Sequence, residues 1–448
     1  AARELLACAR VPGSREVAQL AATTRRLSFE LCGRASLFST ASHRNAEART
    51  QISNQMSSTA PTPFIQLRGS KLVVTEEAKR ALTSLKGTVG VCAVAGVYRT
   101  GKSFILNQLA GKSSGFSVGG TVQAHTKGIW MWGAPLQLSA PGAPDNLLLL
   151  DTEGLQSLSA TEGHDAKIFS LAILLASSFL YNSEKAINNA AIDQLSLVAQ
   201  LTQRIRAKSG RGDEGAAALA SEMPDFLWLL RDFQLELKDE GGRPITKDEY
   251  LDEALRPQRG TSAAAAELNA TRAAIKTLFP RRACETLPHP TIGTRLGADA
   301  LKNLPALEKL APPFRDGVHA LKARVLATVR PKAVGGVALS GTALLRLAEA
   351  YVDAINKGAV PVISSAWQSV VQLEGRRALD DAIGHYRAAA RAFAGRTPPP
   401  ERDAWEAEHA RLSQAAIAAF RAAALGGGGG GAATLEQQLV AAMADERK

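Results

Sequence analysis

The chain has 448 residues, 46% hydrophobic and 21% charged, a globular composition with room for two or three domains that excludes disorder throughout. Its 53 basic residues against 42 acidic ones leave a formal charge of +11, which brings phosphate-bearing ligands, acidic membrane surfaces and nucleic acid into view as partner classes. Four cysteines, Cys8, Cys32, Cys92 and Cys284, are too few and too dispersed for a disulfide scaffold or a closed zinc site, which fits a reducing compartment.

Residues 1–62 carry eight arginines, four glutamates and no lysine, with no sustained periodicity. This composition suits either a disordered arm or an organelle-targeting segment, and the four glutamates weigh against the second. From about Pro63 short apolar runs alternate with helical patterns, the order expected of an α/β fold with a mostly parallel sheet. Val89 to Ala95 precedes a glycine loop, Leu147 to Leu150 precedes Asp151, and Phe226 to Leu230 precedes Arg231-Asp232. Ligands of open parallel sheets sit beyond the carboxyl ends of the strands, so these polar residues are expected to converge. Ile168 to Tyr181, the most apolar run, is broken by serines and shorter than the roughly 20 residues of a membrane span. A cytoplasmic protein is expected.

Beyond residue 330 the chain is Ala-rich, with Leu344, Leu347, Ala348, Tyr351, Val352 and Ile355 at helical spacing, so 331–448 reads as an all-α domain. Pro398-Pro399-Pro400 interrupts it, the glycines at 426–431 read as a flexible linker, and Thr434 to Lys448 reads as a short polar helix that is cut off.

Gly96-Val97-Tyr98-Arg99-Thr100-Gly101-Lys102-Ser103 matches the phosphate-binding P-loop, with an apolar strand before it and a helical pattern starting at Phe104 after it. Backbone N–H groups from Gly96 to Phe104 would close around the phosphates. Lys102 would neutralise β and γ oxygens, and the Ser103 hydroxyl would bind magnesium at the helix N-terminus.

Downstream, Gly119-Gly120-Thr121-Val122-Gln123-Ala124-His125-Thr126-Lys127-Gly128-Ile129-Trp130-Met131-Trp132 precedes Asp151-Thr152-Glu153-Gly154-Leu155 and then Leu230-Arg231-Asp232-Phe233. Together with the P-loop, these segments resemble the guanylate-binding protein family of large, dynamin-related GTPases and its atlastin relatives, over about residues 63 to 395. The resemblance implies a G domain at 63–330 followed by a helical domain. In that context Thr126 is a switch residue giving magnesium a second hydroxyl, where alone it would pass for a surface threonine. Asp151 holds magnesium through water, the Gly154 amide meets the γ-phosphate, and Glu153 lies toward the attacking water. Arg99 becomes an arginine finger supplied in cis. His125 is left without a role, and the Trp130-Met131-Trp132 alternation reads as a packed strand.

No Asn-Lys-x-Asp is present, and Thr246-Lys247-Asp248-Glu249 misses that pattern at its last residue. Arg231-Asp232 takes its place: Asp232 could accept both the N1 and N2 hydrogens of guanine, with Arg231 stacked on or flanking the base. Arg256 to Cys284 resembles the family's guanine cap, which makes Arg272 and Lys276 contacts across a dimer face. The expected function is magnesium-dependent GTP binding and hydrolysis, with a homodimer formed through the G domain when GTP is bound and with GMP as a further product suggested by the family. The alternative is a nucleotide-switched scaffold with weak turnover, to which Ala124 lends weight because the family typically carries Ser there. Membrane-surface association remains open through the positive charge, whereas no nucleic-acid motif accompanies it.

Overall fold

The computed structural model describes residues 60–97, 100–116, 128–152, 162–196, 220–296, 305–359, 363–425 and 430–446. The N-terminal segment up to residue 59 therefore lies outside the described residues. So do Tyr98, Arg99, Ala124, His125, Thr126, Glu153 and Gly154.

Nine strands among the described residues form one sheet. In chain order they are β1 (Thr62–Arg68), β2 (Lys71–Val74), β3 (Val89–Gly96), β4 (Ile129–Met131), β5 (Leu136–Gln137), β6 (Asn146–Thr152), β7 (Ser178–Glu184), β8 (Asp225–Arg231) and β9 (Arg282–Leu287). The spatial order is β2-β1-β4-β6-β3-β7-β8-β9, with β5 paired to β6 off this path. Strands β6, β3, β7, β8 and β9 are parallel; β1, β2 and β4 extend the sheet antiparallel at one side. Every residue of β3 and β6 is buried, as expected for parallel strands covered on both faces, and this is why they read as unbroken apolar runs rather than alternating ones.

Helices α1 (Glu76–Ser84), α2 (Lys102–Leu109), α3 (Glu162–Leu175), α4 (Asn189–Asp193), α5 (Lys247–Ala254), α6 (Ala263–Leu278) and α7 (Pro312–Thr328) accompany the strands. The near-miss Thr246-Lys247-Asp248-Glu249 opens α5. Thr246 Oγ1 accepts from the Glu249 N–H at 3.1 Å and the Glu249 carboxylate accepts from the Thr246 N–H at 2.7 Å, a reciprocal cap that satisfies two otherwise orphaned donors. Aromatic rings fill the core beneath β7 and β8: Phe226 stacks on Phe279 at 4.8 Å, and Trp228 meets Tyr181 edge-on at 5.3 Å.

The two-stranded hairpin β10 (Ala333–Val334) and β11 (Val337–Ala338) leads into α8 (Gly341–Asn356). The apolar face of α8, with Leu344, Leu347, Ala348, Tyr351 and Ile355 buried, packs on α1, β2 and α3 and shares the core of the sheet. Helices α9 (Ile363–Ala394), α10 (Arg402–Ala423) and α11 (Gly430–Glu446) form a bundle with its own core around Leu379, Tyr386, Leu412, Phe420, Leu439 and Met443. The break between α9 and α10 falls at the proline run. Gly430 and Gly431, within the glycine stretch expected to be a linker, start α11.

Candidate functional site

The carboxyl ends of β3, β6, β7 and β8 meet at one end of the sheet. Gly96 is in register with Asn182, Val94 with Asp151, and Glu184 with Arg231, so the residues that follow these apolar runs are brought together. Asp151, Asn182, Glu184 and Arg231 thus lie on neighbouring parallel strands at the end where this topology predicts ligands to bind.

Strand β3 turns into the loop at Gly96, whose φ is +147°. A Cβ there would sit 2.0 Å from the Asn182 carbonyl oxygen, so the first loop residue has to lack a side chain. Gly101, at φ +80°, is the residue before α2 and is likewise left-handed. From the first turn of α2, Lys102 Nζ donates to the Val97 carbonyl at 3.0 Å; within the loop Thr100 Oγ1 donates to the same oxygen at 2.8 Å, and Phe104 is buried in α2.

At the start of α2, Ser103 Oγ donates to Asp151 Oδ2 at 2.6 Å. Asp151 is fully buried in β6, and the next residue, Thr152, ties β6 to β3 by donating to the Val94 carbonyl at 2.9 Å. A hydroxyl and a carboxylate held side by side at a helix N-terminus are hard oxygen donors of the kind magnesium takes, so these residues fit that ion.

Arg231, expected to stack on or flank the base, reaches the phosphate loop. It is 6% exposed, and its Nη1 donates to the Thr100 carbonyl at 3.3 Å while the guanidinium carbon lies 5.4 Å above the centre of the Phe314 ring. Burial brings its pKa down to about 10, against the opposing charges of Asp232 and Glu184. Asp232 follows at a left-handed φ of +54°, and Lys185, the residue after β7, is left-handed too at φ +63°.

Asn182 is the functional residue that sequence reasoning missed. It is fully buried in β7, and its Nδ2 donates to the Thr100 carbonyl at 3.0 Å and to Thr100 Oγ1 at 2.6 Å. The signal was available: a polar residue near the end of an apolar strand run, the same pattern that singles out Asp151. Arg272 corrects the expected dimer contact, because it is 2% exposed and points inward to the Ala254 carbonyl, Asn269 Oδ1 and Asn189 Oδ1. Trp132 is buried against Phe116 at 5.3 Å, which agrees with the packed reading of that string.

A cleft of about 670 Å³ opens at the far end of the sheet, lined by the first residues of β7, β8 and β9 and the C-terminal end of α7. Its arginines are engaged in ion pairs, Arg281 with Asp225, Arg282 with Asp252 and Arg324 with Glu285 and Asp248, and it is separate from the loop. No helix among the described residues is long and apolar enough to cross a membrane.

The family model for the guanylate-binding protein N-terminal domain matches residues 69–333, and that for the C-terminal domain matches residues 335–446. Among curated relatives, guanylate-binding protein 1 of Chlorocebus aethiops is 40% identical over 341 residues, covering 75% of this chain and 56% of that protein. Human guanylate-binding protein 2 is 40% identical over 333 residues, 73% of this chain and 55% of the relative, and mouse guanylate-binding protein 2 is 38% identical over 341 residues, 75% and 56%. The chain thus spans little more than half the length of these relatives. With the P-loop between β3 and α2, the Ser103–Asp151 pair and both family domains matched in order, the chain belongs to the guanylate-binding protein family.

Proposed function

We propose that this chain binds GTP with magnesium and hydrolyses it to GDP by attack of water on the γ-phosphate. The observation that carries the reading is the placement of Ser103 Oγ against Asp151 Oδ2 at the mouth of a strand–loop–helix, with β8, the next strand but one, ending at Arg231 and followed by Asp232. Magnesium, when bound, withdraws charge from the β and γ oxygens. The chain's own residues do the rest. Amides of the loop from Gly96 to Phe104 cradle the phosphates, Lys102 offsets their charge, Ser103 and Asp151 hold the ion, and Asp232 accepts the two guanine hydrogens. Arg99, Thr126, Glu153 and Gly154 complete the site as finger, switch hydroxyl, water-orienting carboxylate and γ-phosphate amide, on the strength of the family membership.

Homodimerisation through the G domain in the GTP state is part of the same proposal. It is supported by the family and not by Arg272, whose guanidinium is turned inward. A slow, switch-like scaffold is the second reading, favoured by Ala124, which offers no hydroxyl to the attacking water. The deciding experiment is nucleotide selectivity: the wild-type chain is expected to bind GTP over ATP, and Asp232→Asn to shift preference toward xanthosine triphosphate, because the amide donates where the carboxylate accepted. Equal binding of GTP and ATP by the wild type would overturn the assignment.

A further inference from the structure

The expected partner of Arg231 was the purine; its observed partner is the phosphate loop. The Thr100 carbonyl receives two donors, Arg231 Nη1 at 3.3 Å and Asn182 Nδ2 at 3.0 Å, which match the two lone pairs of that oxygen. We propose that Arg231 and Asn182 are positioning residues that anchor the Thr100 carbonyl and thereby aim the Gly101 N–H at the bound phosphates, Arg231 making no use of the base. The inference rests on the nucleotide-binding reading above and goes beyond it by assigning the Arg of the Arg-Asp pair to the other end of the nucleotide.

The geometry follows from the peptide plane. In a trans peptide the C=O of one residue and the N–H of the next point in opposite directions. The Thr100 C=O and Gly101 N–H share such a plane, so a carbonyl drawn outward toward β7 and β8 turns the amide inward, where loop amides meet phosphate. A fixed donor needs no reorganisation when charge arrives. Around the guanidinium the space is closed: a Cβ at Gly101 would lie 3.0 Å from Arg231 Nη1, and on another side Phe314 of α7 packs over the guanidinium and against Phe104 of α2 at 6.1 Å. Asn182 also engages Thr100 Oγ1 at 2.6 Å, and that hydroxyl donates to the Val97 carbonyl at 2.8 Å. The strand ends thus grip the loop through one residue, Thr100, from two neighbouring strands.

The test is ligand-dependent affinity on the full 448-residue chain, titrating GTP, GDP, GMP and ATP against wild type, Arg231→Met, Arg231→Lys and Asn182→Ala. An aimed amide serves the β-phosphate, so Arg231→Met is expected to weaken GTP and GDP by about tenfold, the worth of one charge-assisted bond, and GMP by less than about threefold. The ratio of GTP to ATP affinity is expected to stay put. Asn182→Ala is expected to reproduce that profile, and Arg231→Lys, whose ammonium can still reach a carbonyl, to recover most of the loss. Equal weakening of GTP, GDP and GMP in Arg231→Met, or a collapse of the GTP over ATP preference, would assign Arg231 to the base and overturn the inference. If Arg231→Met does not fold, the Lys and Asn182→Ala profiles decide by the same criterion. A wild-type chain that binds none of these nucleotides would instead refute the nucleotide-binding reading itself, and the inference with it.

Discussion

Lys332 sits where the two family domains meet, and it ties pH to stability. Its Nζ is buried, with the residue 3% exposed, and donates to the carbonyls of Ala176 at 3.0 Å and Glu222 at 3.3 Å. The Glu222 carboxylate is turned to the Gly335 N–H at 3.0 Å. Burial pushes the amine from 10.5 down to about 8, the charge of Glu222 opposing the shift. Below about pH 8 both the folded and the unfolded chain hold this proton, and the cost of burying the charge is present in full. Between about 8 and 10.5 only the unfolded chain holds it, so this group makes stability rise with pH across that window. The shift of roughly 2.5 corresponds to about 3 kcal/mol, most of it gained by pH 10. Lys332→Met removes the titration. Urea unfolding of wild type and variant at stepped pH from about 7 to 10 is expected to show their difference in unfolding free energy drifting in favour of the wild type by about 2–3 kcal/mol. Contributions from the tyrosines, whose burial raises their pKa, cancel in the difference. Curves that run parallel would refute the argument. Lys332→Arg, which stays charged throughout, is the second variant and is expected to lose the same pH dependence.

Lys102→Met is expected to weaken GTP binding by about ten- to a hundredfold while the melting temperature holds, read by fluorescent-nucleotide titration beside thermal unfolding. Gly96→Ala forces a Cβ to within 2.0 Å of a strand carbonyl at a left-handed φ, and is expected to cost about 2–4 kcal/mol in chemical denaturation. Ala124→Ser, at a position outside the described residues, is expected to speed single-turnover hydrolysis about five- to thirtyfold without tightening GTP, and an unchanged rate would remove the support for the weak-switch reading.

What was legible in the sequence was whatever depends on neighbours along the chain. The run Val89 to Ala95 ending in Gly96, and the runs ending at Asp151 and Arg231, mark strand ends because burial on both faces leaves no alternation and the first polar residue marks the exit. The periodicity of Leu344, Leu347, Tyr351 and Ile355 identified a helix, but nothing local says that it packs on α1, β2 and α3 of the sheet domain as well as on α9. Asn182 was hidden for the same reason. In sequence it is one polar residue beside Phe179, Leu180 and Tyr181, and only the parallel register with Gly96 places its amide on the loop. Arg272 looks like a surface cation on an Ala-rich helix, yet its guanidinium is turned toward Asn189 Oδ1 of α4, on which α6 packs.

The Arg231-Asp232 pair carries the same lesson into the chemistry. Two residues adjacent in a motif invite one shared role, but Arg231 is the last residue of β8 and Asp232 follows outside the strand at φ +54°, so the two have different backbone conformations. The left-handed backbone at Asp232, like that at Lys185 just after β7, falls where the strand ends. On the proposal above the two roles divide between neighbours: Arg231, buried, would govern how the phosphate loop is held, and Asp232, half-buried just beyond the strand, would govern which purine is accepted. Because one peptide bond joins them, a change at Asp232 that keeps the backbone turn should alter selectivity and leave phosphate affinity in place, whereas a change that straightens the turn should disturb both.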